Sequence, residues 1–72
     1  LYFEEARLVF EGPLIEFEDR LFAYGEERIV TVGYLRQRMV VIVWTQRGDS
    51  RHIISMREAN AREIEIYRPL IG

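Results

Sequence analysis

Few side chains in this sequence could carry chemistry, and they gather in its second half: Arg47, His52 and Arg57, then Glu63 and Tyr67. Imidazole is the side chain whose ordinary pKa suits proton transfer near neutrality, which makes the lone histidine, His52, a candidate acid or base. The same residue reads more readily as a partly buried, hydrogen-bonded histidine at a sheet edge beside Ile54. Arg47 stands next to Gly48, and Arg57 stands where an apolar run ends. A guanidinium grips phosphate through a planar fork, so both are candidate phosphate ligands. Both are also natural places for a solvated arginine or an ion pair with one of the many glutamates. Tyr67 lies on the last helical segment, where packing and catalysis are both open to it. Trp44 is either a base-stacking platform or, as is more usual on a central strand, core. The stronger signatures are absent. With no cysteine, one histidine and only Asp19 and Asp49 as aspartates, neither a zinc site nor a Ser-His-Asp triad can be assembled. The glycines are scattered and form no phosphate-binding loop. Glu26 and Glu27 beside Arg28 read as a solvated turn, and no cofactor or metal is expected.

The elements that must position these groups follow from hydropathy. Met39 to Trp44 is an unbroken apolar run, Gln46-Arg47-Gly48-Asp49 is a polar turn, and Ile53-Ile54-Ser55-Met56-Arg57 is a second run, together an antiparallel hairpin. The first strand has Met39, Val41 and Val43 on one side and Val40, Ile42 and Trp44 on the other. It must be central, with both faces of the sheet covered. On the second strand, regular alternation puts Arg51, Ile53, Ser55 and Arg57 on one side and His52, Ile54 and Met56 on the other. His52 and Arg57 then serve one site only if Arg57 lies beyond the strand's end.

Glu27 to Leu35 reads as the preceding strand, joined by a turn at Arg36-Gln37. Phe3 to Phe10 has helical spacing, with Phe3, Ala6, Val9 and Phe10 on one stripe and acids in the first turn, and Gly12-Pro13 ends it. Leu14 to Glu18 is either an edge strand or an extended connector, and Asp19 to Glu26 is a loop or turn. Asn60-Ala-Arg-Glu63 has the form of a capping box. It opens a helix from Ala61 to about Tyr67, buried along Ala61, Ile64 and Tyr67 and stopped by Pro69. The expected fold class is α+β: a small antiparallel sheet of three to four strands with an N-terminal and a C-terminal helix. Two short helices can roof one face of such a sheet, so the other face calls for a companion, in a homo- or hetero-oligomer.

Seventy-two residues make a single domain, 1–72, and a chain of this size buries only about 60% of its unfolded surface. The absence of cysteine suits a reducing compartment, and no apolar stretch has the length of a membrane span. A cytoplasmic protein with no membrane role is expected. The net charge of -2 conceals a split. Residues 1–27 carry eight acids against two arginines (-6), residues 28–57 carry six arginines against one acid (+5), and residues 58–72 carry -1. One region therefore suits phosphate and another suits a basic partner. All ten basic residues are arginine, which fits an anion site and equally fits a GC-rich coding sequence.

Taken in order, Phe3-Glu-Glu-Ala6 leading into Val9-Phe10, Gly25-Glu-Glu-Arg28, Arg47-Gly-Asp49, Ile53-Ile54-Ser55, Arg57, and Arg62-Glu63 with Tyr67 resemble the BrnT toxins over nearly the whole chain. The resemblance implies a RelE-like fold and a ribonuclease toxin of a type II toxin-antitoxin system that cleaves RNA without metal and arrests translation. It also implies neutralisation by a BrnA-like ribbon-helix-helix antitoxin, and contact with operator DNA only through that antitoxin. It assigns Arg47 and Arg57 to charge stabilisation and Glu63, His52 or Tyr67 to proton transfer. The chain departs from the pattern in three places. It begins after the strand and helix that normally open the family, and Arg57-Glu58 replaces a usual arginine pair. His52 stands where arginine is common, with Phe22-Ala23-Tyr24 lacking a histidine that tends to precede Glu-Glu-Arg. The reversed charge at Glu58 and the missing front segment motivate the alternative of a catalytically inactive module that binds an antitoxin or assembles a complex.

Overall fold

The computed structural model describes residues 3–19 and 27–72. A 3-10 turn, Phe3–Glu5, runs into helix α1, Ala6–Phe10; strands β1, Leu14–Glu18, β2, Ile29–Leu35, β3, Arg38–Arg47, and β4, Ser50–Glu58, follow, and helix α2, Ala61–Ile71, closes the chain. The strands form one antiparallel sheet in the order β1-β2-β3-β4, so the α+β class holds with four strands. The stretch left open between strand and connector is a strand, paired with β2 from Leu14↔Gly33 to Glu18↔Ile29. Asp19 N–H extends this pairing to the Arg28 carbonyl at 2.8 Å. Apart from Asp19, the expected loop from Asp19 to Glu26 lies outside the described residues, and with it Phe22-Ala23-Tyr24 and Gly25-Glu26.

β3 is buried on both sides, as its composition requires. Val40, Ile42 and Trp44 join Ala6, Val9 and Leu35 on the α1 face, while Met39 and Val41 join Val30 and Val32 on the other. Ala59, Ile64, Tyr67 and Ile71 pack on that second cluster. The two helices therefore do not share one face: each covers its own, and an uncovered face no longer gives a reason to require a companion. Five residues of α1 are too few for a stable helix in isolation. Docking holds it, with Val9 fully buried, a contribution of about 1.5–3 kcal/mol for such a side chain.

Gly33 makes the docking possible. A Cβ there would lie 2.7 Å from Val9 Cγ1 and 3.3 Å from the Pro13 carbonyl oxygen. Trp44 is core, 5% exposed, and meets Phe10 edge to face at 5.8 Å. Its indole N–H donates to Thr31 Oγ1 at 2.8 Å, and that buried hydroxyl donates to Glu16 Oε2 at 2.7 Å. The one polar atom of the indole is thus satisfied across three strands.

Two departures from regular geometry matter for the site. Val43 pairs with Ser55 and Trp44 with Ile53, so Ile54 is an extra residue, a β-bulge on β4. The bulge overturns the expected alternation: Arg51, Ile53 and Met56 share the α1 face, and His52, Ser55 and Arg57 share the α2 face. Its physical reason is that Ile53 and Met56 both pack on the α1 core, and residues three apart cannot share a face in a regular strand. Pro69 does not stop α2, which continues through Ile71 and closes with Gly72 N–H on the Arg68 carbonyl at 3.1 Å. Ile71 packs against the sheet, and that contact offsets the bond Pro69 cannot donate.

The β2–β3 connection places Arg36 and Gln37 at φ 50° and 71°, the left-handed values of a tight hairpin that glycine and asparagine adopt at lower cost. Gln37→Gly is expected to stabilise the fold by about 0.5–1 kcal/mol, read as a higher urea midpoint. Gly33→Ala is expected to lose about 1–3 kcal/mol by overpacking against immobile Val9. An unchanged midpoint for Gly33→Ala would show that α1 is not seated as described.

Candidate active site

The capping box forms as its spacing predicts. Asn60 takes an extended backbone, its side-chain oxygen accepts from Glu63 N–H at 2.9 Å, and Glu63 Oε1 accepts from Asn60 N–H at 3.0 Å. Glu63 is thereby fixed in the first turn of α2, with its carboxylate turned back over the end of β4. Arg57 meets it there as a fork. Nη1 donates to Oε1 at 2.7 Å and Nη2 donates to Oε2 at 2.8 Å. The arginine is 55% exposed and the carboxylate side chain only 19%, so the pair presents its guanidinium to solvent and keeps its acid beneath.

The electrostatics follow from this geometry. The Arg57 guanidinium, helped by Asn60 N–H and working against burial, holds the Glu63 carboxyl at about 2, well below the usual 4.5. Glu63 in turn raises Arg57, with a smaller electrostatic contribution from Tyr67. Tyr67 lies one helical turn beyond Glu63 on the same side of α2. Its ring stacks on Phe17 of β1 at 6.0 Å, nearly parallel. Phe17 was not among the sequence candidates; the signal available was an aromatic residue alternating with Ile15 on an otherwise acidic strand.

Of the five candidates, the fold brings together Arg57, Glu63 and Tyr67. His52 and Arg47 share their face but not their place. Arg57 pairs with Val41, His52 with Thr45 and Arg47 with Ser50, which puts His52 about 13 Å and Arg47 about 20 Å along the sheet at ~3.3 Å per residue. Arg51 is on the opposite face, its guanidinium 3.9 Å above the Phe10 ring and 5.0 Å from that of Trp44. Glu58 also faces away from Arg57 and is paired with Arg38 at 2.9 Å.

A small α+β protein with a forked arginine anchored on a helix cap and a phenol beside it has the parts for binding an anion. The chain's own sequence gives the class more closely: residues 1–63 match the family model of a ribonuclease toxin of type II toxin-antitoxin systems. That family is BrnT, and this chain belongs to it. Membership implies an antitoxin partner. No curated protein and no solved structure matches the chain. Among the described residues, no helix is long and apolar enough to cross a membrane.

Because the Glu63 carboxyl is held below its unfolded value, its contribution to stability is fully present above pH ~4.5 and is lost as the pH falls through about 2. Glu63→Gln removes that dependence. The stability difference between wild type and variant, measured by urea unfolding, should narrow steadily between pH 4.5 and 2. A difference that stays constant across that window would mean the ion pair does not form in solution.

Proposed function

We propose that this chain is an active, metal-independent ribonuclease toxin of RelE-like architecture. In this reading it cleaves RNA in the cytoplasm, arrests translation, and is neutralised by a BrnA-like ribbon-helix-helix antitoxin that alone contacts operator DNA. The observation that carries the reading is the forked Arg57–Glu63 pair, which holds a guanidinium rigid and more than half exposed on the α2 face. A fixed cation is what in-line RNA cleavage needs. The 2'-oxygen attacks the adjacent phosphorus as a base takes its proton, and the bond from phosphorus to the 5'-oxygen breaks as an acid protonates that oxygen. The products are a 2',3'-cyclic phosphate and a 5'-hydroxyl.

In this scheme Arg57 stabilises the extra negative charge on phosphorus. Glu63 is a poor proton acceptor, because both carboxylate oxygens already accept hydrogen bonds and its pKa is held at about 2. Its fitting role is to orient Arg57. Tyr67, one turn beyond Glu63 and within electrostatic reach of the guanidinium, is the candidate proton carrier, while His52 and Arg47, further along the same face, suit contacts to neighbouring nucleotides. The reading as an inactive binding module drew on the reversed charge at position 58. Glu58 faces the other side of the sheet and is neutralised by Arg38, so it does not oppose Arg57, and the active reading is favoured.

Arg57→Ala is expected to lower RNA cleavage about 10²- to 10³-fold, the usual cost of one preorganised charge contact, and to abolish growth arrest when induced without the neighbouring gene. Circular dichroism should report an intact fold. A folded Arg57→Ala variant that still arrests growth removes Arg57 from the mechanism. Normal growth with the wild-type chain, with tight binding to the neighbour's product retained, supports the inactive module.

A further inference from the structure

The α1 face carries a second site that the scheme above does not use. Arg51 projects from β4 onto Phe10, with its guanidinium carbon 3.9 Å from the ring centroid and 5.0 Å from that of Trp44. Phe10 is itself fixed edge to face on buried Trp44. A guanidinium drawn over an aromatic face in this way keeps its outward side and its N–H edge available. Among the described residues Arg51 makes no ion pair or hydrogen bond, unlike Arg36, Arg38 and Arg57. Beside it opens a shallow groove of about 260 Å³ lined by Glu4, Ala6, Arg7, Phe10, Arg51 and Ile53. That volume is below the range for a drug-sized ligand, and it suits one planar ring rather than a whole nucleotide.

The geometry points to Arg51 as a preformed stacking platform for one base of single-stranded RNA, with Phe10 and Trp44 beneath the guanidinium and Arg7 at the rim for a backbone phosphate. This inference rests on the ribonuclease reading and adds a substrate subsite to it. Arginine planes are established surfaces for unstacked RNA bases. The apolar floor favours a ring, and the two arginines on this groove, Arg7 and Arg51, outnumber its one carboxylate, Glu4, leaving a net positive lining for a polyanion. β4 is an edge strand, and Arg51 and His52 are consecutive residues on its two faces. A flexible strand folded over that edge therefore reaches the groove from the α2 face without crossing another element.

Equilibrium binding of a 5'-labelled RNA decamer, and of an abasic decamer with the same phosphates, tests this on the full chain. Arg51→Ala should weaken binding of the base-bearing RNA roughly 5- to 100-fold, the range for one stacked base, and leave abasic RNA nearly unaffected. Arg51→Lys keeps the charge but not the plane and should fail to restore the affinity. An equal loss on both RNAs, or full rescue by lysine, overturns the platform in favour of a simple phosphate contact. Unchanged RNA binding with lost binding of the antitoxin also overturns it and makes the groove a protein-docking surface. If the wild-type chain binds and cleaves RNA but Arg51→Ala matches it, only this inference fails. If the wild-type chain binds no RNA, the ribonuclease reading fails as well.

Discussion

Met39 to Trp44 make a run of apolar side chains inside a ten-residue strand, and no arrangement of that strand leaves a side for water to cover. Burying both faces takes two layers of cover from a chain of 72 residues, and the chain meets that need by sending one helix to each face. The short α1 reaches the sheet only where Gly33 lacks a side chain. The longer α2 contributes Ile64, Tyr67 and Ile71 without a fully buried residue of its own. Packing of the central strand thus dictates where both helices lie, and the site inherits its geometry from the second of them.

The link from packing to chemistry runs through the bulge at Ile54. Trp44 needs Ile53 beside it on the α1 face, and Met56 packs there too. The inserted residue reconciles those demands and turns Arg57 to the opposite face, towards α2. There the capping box has already fixed Glu63. One carboxylate then does two things: it closes the first turn of a helix and anchors the guanidinium. A hydrogen-bonded group with two partners is harder to displace than either contact alone would make it, and this explains how so small a molecule holds an exposed arginine in one orientation.

The charge split along the chain also acquires a place in space. The acidic segment becomes β1, with Glu16 and Glu18 on one outer strand, and the basic segment supplies Arg51 and Arg57 on the other. The sheet has an acidic edge and a basic edge, and Arg57 and Arg51, proposed to hold the reacting phosphate and a base, belong to the basic one.

Much of this was legible beforehand. The apolar run, the polar turn, the turn at Arg36-Gln37 and the capping box are local patterns whose physics operates within a few residues, and each was found where the sequence placed it. Even the need to cover both faces of the sheet follows from composition alone. Which helix covers which face is a matter of chain path, and the length of α2 past Pro69 was settled by a contact at Ile71 that the local stop signal cannot anticipate. The face on which Arg57 emerges, and so its separation from Arg51 and its union with Glu63 and Tyr67, was decided only in the tertiary structure. One extra residue in a strand reverses every side chain after it, and whether that residue is inserted depends on core contacts formed between distant parts of the chain.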